Sequence, residues 1–172
     1  MLKNHRIFLI LISIIILLLG CATYKKRVVI MDFVNATNLP EYNVIARETV
    51  PEMLITDLTN WNSLRLLERQ DIARYLNEID NNTDNPNNLT RWQQLGKRMQ
   101  ADYFIAGSVA KLGNTFFVNI RIFNVETGKL VPGSGLRRKC TEEDQLPDVL
   151  KDIADKLAIG FKHRNIESLS EK

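Results

Sequence analysis

Residues 7–19 form an apolar run, Ile-Phe-Leu-Ile-Leu-Ile-Ser-Ile-Ile-Ile-Leu-Leu-Leu, and no other feature restricts the chain as strongly. Lys3 and Arg6 are the only charged side chains among the first 20 residues. A basic start followed by an unbroken apolar stretch of this length is the pattern of a secretory signal. A permanent bilayer-spanning helix needs about 20 apolar residues, so the run is short for an anchor. The opening segment is therefore set apart from the part of the chain that builds a core.

Leu18-Leu19-Gly20-Cys21 closes the apolar run. An aliphatic pair, a small residue and then cysteine resembles the lipobox of bacterial lipoproteins. That resemblance implies cleavage between Gly20 and Cys21, with Cys21 carrying the lipid. Removing residues 1–20 leaves 152 residues, with 21 Lys and Arg against 20 Asp and Glu. The near-neutral balance gives no electrostatic case for a nucleic-acid partner. Stable anchoring takes more than one acyl chain, which lipoprotein processing supplies, so the expected partner at this end is a membrane. Ala22 follows the lipidated position, and outer-membrane delivery with the domain in the periplasm is the default expectation. Once Cys21 is acylated, Cys140 has no intramolecular partner, and the fold cannot depend on a disulfide. Cys140 is expected to be a small strand residue, with pairing between two chains as the alternative.

Residues 27–34 predict a buried strand, Asn35 to Pro40 a turn, and residues 42–61 a helix broken or restarted at Pro51. Leu64 to Glu68 predicts a second strand; Ile72, Tyr75, Leu76 and Ile79 mark a second helix. Residues 80–88 hold five asparagines and Pro86, a loop composition, and Asn88 is placed to cap a helix lined by Trp92, Leu95 and Met99. Residues 102–112 predict a central strand, and the next strand alternates, with Phe116, Val118, Ile120 and Ile122 opposite Asn119 and Arg121. A weaker edge strand is expected around Pro132, Gly133 and Gly135. Thr141 and Asp144 have capping-box spacing ahead of a last helix lined by Leu146, Leu150, Ile153, Leu157 and Phe161. The order β-α-β-α-α-β-β-β-α predicts an α/β fold, one mixed sheet of about five strands, parallel early and antiparallel late. The domain boundaries expected are a signal peptide over 1–20, a lipidated tether over 21–26, a folded domain over 27–162 and a polar tail over 163–172.

Reactive chemistry is sparse. His163 is the only histidine after residue 20, so no Cys/His zinc set is available. No Walker loop, dinucleotide fingerprint or Gly-x-Ser-x-Gly elbow occurs. Gly133-Ser134-Gly135 neither follows a central strand nor opens a helix, and is expected to bend an edge strand. Arg137-Arg138-Lys139 is expected to protect that edge, with an acidic partner or a lipid headgroup as the alternative. No catalytic residue, cofactor site or metal site is assigned.

Four segments, Val29-Ile30-Met31-Asp32-Phe33, Leu66-Leu67-Glu68-Arg69-Gln70, residues 102–109 and residues 118–129, resemble in order those of the CsgG/LpoB-like lipoproteins. The resemblance covers roughly residues 27–160. It implies an anticodon-binding-domain-like fold, with a mixed sheet between helix layers. It implies structural roles for Glu68 and Arg69, joining strand end to helix start, and for Gly107, permitting close packing. It further implies a non-catalytic protein that binds periplasmic protein partners. One version is a penicillin-binding-protein activator regulating cell-wall synthesis. The other is an accessory or ring-forming component of an envelope secretion or assembly system, with self-association. The channel branch inserts membrane hairpins, each needing some 20 residues. The turn after Leu112 and the segment near Leu130 are too short for them, so no pore is expected.

Overall fold

The computed structural model describes residues 25–79 and 89–163. The expected signal, Gly20, Cys21, most of the tether, the asparagine-rich loop with Asn88, and the tail beyond His163 lie outside these residues.

The strands are β1 (Lys26–Ile30), β2 (Val34–Asn35), β3 (Leu64–Leu66), β4 (Tyr103–Leu112), β5 (Thr115–Asn124) and β6 (Leu136–Cys140). The helices are α1 (Val50–Thr59), α2 (Arg69–Ile79), α3 (Leu89–Arg98) and α4 (Leu146–Lys162). They build one mixed sheet in the order β3-β1-β4-β5-β6, with β2 pairing on β4 beyond β1. β1 runs parallel to β3 and β4, β2 parallel to β4, while β4–β5 and β5–β6 are antiparallel. The parallel-then-antiparallel expectation holds, with six strands in place of about five.

The extra strand comes from a break in the segment expected to be one strand. Ile30 pairs with Ile105 and Val34 with Ser108, so four steps along this chain face three along β4. The surplus residue is accommodated as in a bulge, and it reverses the alternation of faces. Met31 N–H still bonds Ile105 O at 2.9 Å, but Phe33 N–H turns to Ala46 O at 3.2 Å. Phe33 thereby enters the core beside Ile30, only 1% exposed.

The helix expected over 42–61 begins as a short 3-10 turn at Pro40–Tyr42, passes through a π-helical segment at Ile45–Thr49, and becomes α1. Val50 N–H donates to Ile45 O, the wide π register. Pro51 has no N–H to give and sits in the first turn of α1, where none is required. The restart expected at Pro51 is therefore observed, with a register change in front of it.

Two further expectations are corrected. Pro132, Gly133 and Gly135 precede the edge strand, which is Leu136–Cys140. Ser134 is fully buried there, its hydroxyl accepting from Ile122 N–H at 3.3 Å and donating to Ile122 O at 3.4 Å. The capping box also fails. A 3-10 turn at Glu143–Gln145 leads into α4, and Gln145 Oε1 accepts from Thr141 N–H at 3.1 Å. The amide of Gln145 takes the position expected of the Asp144 carboxylate.

Each sheet face has its own core. Val28, Ile30, Phe33, Ile105, Val109, Val118, Ile120 and Ile122 pack under α1 and α4, against Leu54, Leu58, Leu150, Ile153 and Leu157. Val29, Met31, Phe104 and Val125 pack under α2 and α3, against Ile72, Leu95 and Met99. At about 25 cal/mol per Å2 of apolar surface, the first and larger cluster dominates the hydrophobic stabilisation.

Candidate partner-binding surface

The two helix layers cover unequal areas of the sheet. α4 is 17 residues long and, with α1, closes one face from β3 across to β6. Among the described residues, α2 and α3 pack over β1, the start of β4 and the end of β5. Beyond Ala106 the second face carries Ser108, Ala110 and Leu112 from β4 and Phe117, Asn119 and Arg121 from β5. From β6 it carries Arg137 and Lys139. Arg121, Arg137 and Lys139 are exposed, and Leu112 is 76% exposed.

A groove of about 900 Å3 opens where this face runs under the helices. Met31, Ile72, Trp92, Phe104, Ala106 and Phe123 give it apolar walls, and Asp32, Arg47 and Arg69 stand at one mouth. The volume lies in the range of sites that seat a ligand or a side-chain cluster.

Arg69 organises that mouth. Its guanidinium bonds the Asp32 carboxylate, donates to Arg47 O at 3.0 Å and lies 3.4 Å from Glu52 Oε1. Glu68 supplies its backbone carbonyl to Asp71 and Ile72 N–H, starting α2. The expected joining role for this pair is thus observed, and Arg69 additionally ties the β1–β2 bulge to α1. Gly107 also has its expected role: a Cβ there would lie 2.4 Å from Asn119 O and 2.4 Å from Phe33 Cε2.

The basic run Arg137-Arg138-Lys139 divides by strand alternation. Arg138 turns toward α4, where its Nε donates to Asp152 Oδ2 at 2.5 Å and Lys156 Nζ lies 2.9 Å from Oδ1. Burial alone would raise the Asp152 carboxyl, but these hydrogen bonds and the two cationic charges hold it below its ordinary value. Arg137 and Lys139 stay on the open face, Arg137 Nε donating to Asn119 Oδ1 at 2.8 Å. Cys140 ends β6 facing the core, and burial, followed by the nearby Asp144 and Glu143 carboxylates, pushes its thiol up. A thiol 5% exposed does not suit pairing between chains.

Asp102 has a structural part that its place in a motif did not reveal. Its Oδ2 accepts from Arg27 N–H at 2.7 Å, and its N–H donates to Arg27 O at 2.8 Å. The Arg27 guanidinium reaches on to Met99 O and Gln100 Oε1, at 2.6 and 2.7 Å, fastening β1 to the loop after α3. Only residues distant in sequence complete this clasp, so no local pattern announces it.

Among the described residues, no group of three or more His, Cys, Asp or Glu could hold a metal ion. None of the described helices is long and apolar enough to cross a membrane. β4 and β5 are joined through Gly113 and Asn114 alone, leaving no membrane hairpin at that junction.

The fold is similar to the LpoB C-terminal domain from Salmonella enterica, with a TM-score of 0.57, 14% identity, and coverage of 72% of this chain and 87% of that one. The corresponding Escherichia coli domain gives 0.55 at 14% identity, again covering 72% and 87%. Lipoprotein GNA1162 from Neisseria meningitidis gives 0.55 at 10% identity, covering 77% and 96%. Identities this low establish a shared fold, and they support the LpoB side of the expected resemblance without extending to CsgG. No curated protein matches the sequence. The sequence model of the family described as "FlgO protein" matches residues 16–135, more than two thirds of the chain, and the chain belongs to that family.

Proposed function

We propose that this is a lipid-anchored, non-catalytic envelope protein whose domain binds a protein partner. Cleavage behind Gly20 and acylation of Cys21 hold it on the outer membrane, with residues 27–162 in the periplasm and 163–172 as a tail. The lipobox assignment rests on Leu18-Leu19-Gly20-Cys21 standing at the end of the apolar run of residues 7–19. The binding role rests on one observation: among the described residues, half of one sheet face, mixed apolar and basic, is left uncovered by the helices. Solvated single apolar residues are ordinary, but a contiguous face beside a groove marks an interaction site. Regulation of a cell-wall synthase, implied by the resemblance to the activator branch, is the version we favour.

Substitution Cys21→Ser tests the anchor. The expected result is a heavier precursor that incorporates no labelled fatty acid and loses outer-membrane fractionation. Normal processing and normal membrane association of the variant refute lipidation at Cys21.

A further inference from the structure

We infer that the uncovered half of the sheet, with the groove at its head, docks a protein segment carrying a large apolar side chain and then two or more carboxylates. This deepens the partner-binding reading above and rests on it.

The charge distribution carries the argument. β4, β5 and β6 contain no Asp or Glu, yet they hold Lys111, Arg121, Arg137, Arg138 and Lys139. Strand alternation sends Lys111 and Arg138 to the α1–α4 side, and both find partners there. Lys111 Nζ donates to Tyr42 Oη at 2.7 Å and lies over the Tyr42 and Phe116 rings, while Arg138 pairs with Asp152. The other three point to the open face. Among the described residues, no carboxylate pairs with Arg121, Arg137 or Lys139. Three cations on one acid-free, half-apolar surface form a site complementary to an anion-bearing partner.

Register fixes what that partner presents. Ala106, in the groove, pairs with Arg121, and Phe123 is the next same-face residue along β5. Same-face neighbours along a strand are about 7 Å apart. An apolar side chain seated against Ala106 and Phe123 thus places a carboxylate one step on at Arg121. A second, across Asn119, meets Arg137, whose Nε is held on Asn119 Oδ1. Phe117 and Lys139 pair at the far end, offering a ring and an ammonium to a third position. A protein segment fits better than a lipid surface because the anchor position is recessed between the α2–α3 pair and the sheet. A planar bilayer cannot reach its floor.

The experiment uses the full lipidated chain in detergent micelles, panned against a displayed library of random twelve-residue peptides. We expect enrichment of an apolar residue followed at alternate positions by Asp or Glu. A fluorescent copy of the enriched peptide should bind at least tenfold more weakly to the Arg121→Glu/Arg137→Glu variant. It should do so equally to Ala106→Trp, which fills the groove. Arg138→Glu, on the opposite side, serves as the comparison and should leave peptide affinity within about twofold, with circular dichroism confirming each fold. An enriched motif without acids, or binding indifferent to the first two variants, overturns the proposal. So does charge-dependent binding of phosphatidylglycerol vesicles in place of the peptide, or a dimer abolished by Arg121→Glu. A photo-crosslinker at residue 117 and another at Lys151 on α4 separate the two claims in cells. Protein adducts from residue 117 support this face, and adducts from Lys151 alone refute it while leaving partner binding intact. Adducts from neither position overturn the partner-binding reading itself.

Discussion

Substitution Gly107→Ala tests the tightest point of the fold. The added Cβ would stand 2.4 Å from Asn119 O, 2.4 Å from Phe33 Cε2 and 2.7 Å from Phe33 Cδ2. Ordinary carbon–oxygen approaches are about 3.3 Å or more, so roughly 1 Å must be opened. The ring can swing aside, but Asn119 O belongs to the backbone of β5, hydrogen-bonded on both sides within the sheet. Overpacking of this kind costs about 1–3 kcal/mol, with backbone displacement at the upper end. Replacing glycine returns about 0.5–1 kcal/mol of chain entropy. The expected net loss is about 2 kcal/mol, or roughly 4–8 °C in Tm for a domain of this size. Gly96→Ala is the control. Its Cβ would meet Phe104 Cζ at 2.6 Å and Val125 Cγ1 and Cγ2 at 2.8 Å, so its three nearest contacts are side-chain atoms rather than backbone. There the helix gains about 0.8–1 kcal/mol from alanine, leaving a net cost of about 1 kcal/mol or less. Urea unfolding followed by circular dichroism ranks the two. Adding Phe33→Leu to Gly107→Ala should recover about 0.5–1 kcal/mol as a favourable coupling, but not the part due to Asn119 O. A Gly107→Ala loss no larger than that of Gly96→Ala refutes the reasoning, because it would mean that the β4–β5 backbone is free to yield.

Asp152→Asn removes the negative charge shared by Arg138 and Lys156. Because the Asp152 carboxyl is held below its ordinary value of 3.8, its stabilisation is fully present above that pH and is lost as pH falls through the lowered value. With the Asp152 side chain 45% exposed, screening limits the loss to about 0.5–1 kcal/mol at neutral pH and less in high salt. Urea midpoints of the two proteins should converge toward acid, and a pH-independent gap refutes the assignment. In a Cys21→Ser background Cys140 is the only thiol, and its burial and raised pKa slow its reaction with a disulfide reagent. The rate should lie at least about a hundredfold below that of the urea-unfolded chain, and non-reducing electrophoresis should show monomer. A rapid reaction or a disulfide dimer contradicts the placement of Cys140.

Period-two alternation made β5 readable from the chain, and spacings of three and four did the same for the inner face of α4. Phe116, Val118, Ile120 and Ile122 share the larger core with Leu150, Ile153, Leu157 and Phe161, as their spacing requires. The bulge at Met31–Phe33 was not readable, because nothing local distinguishes one extended segment from two strands of five and two residues. The deciding hydrogen bond, Phe33 N–H to Ala46 O, comes from a π-helical turn that Pro51 helps to enforce. Gln145 displaced the expected capping box for a similar reason: a 3-10 turn shortened the approach to α4, so the side chain in reach of Thr141 N–H was one residue later.

The binding surface shows where this limit matters most. Alternation alone separates Arg138 from Arg137 and Lys139, and Asn119 and Arg121 from their apolar neighbours. It does not say which side is covered, and that decides what the cations do. Coverage depends on where α2 and α3 end over the sheet, and Gly96 is one of the contacts that seat them. Its missing side chain lets α3 settle against Phe104 and Val125, at the end of the sheet near β1, with the far half left bare. Had the α2–α3 pair settled one strand further, Arg121 and Arg137 would lie under apolar helix faces without a carboxylate, at a desolvation cost of several kcal/mol each. With no carboxylate of the described residues paired to these three cations on β5 and β6, this half of the sheet is more stable open than under those helices. What closes it must bring the missing negative charge.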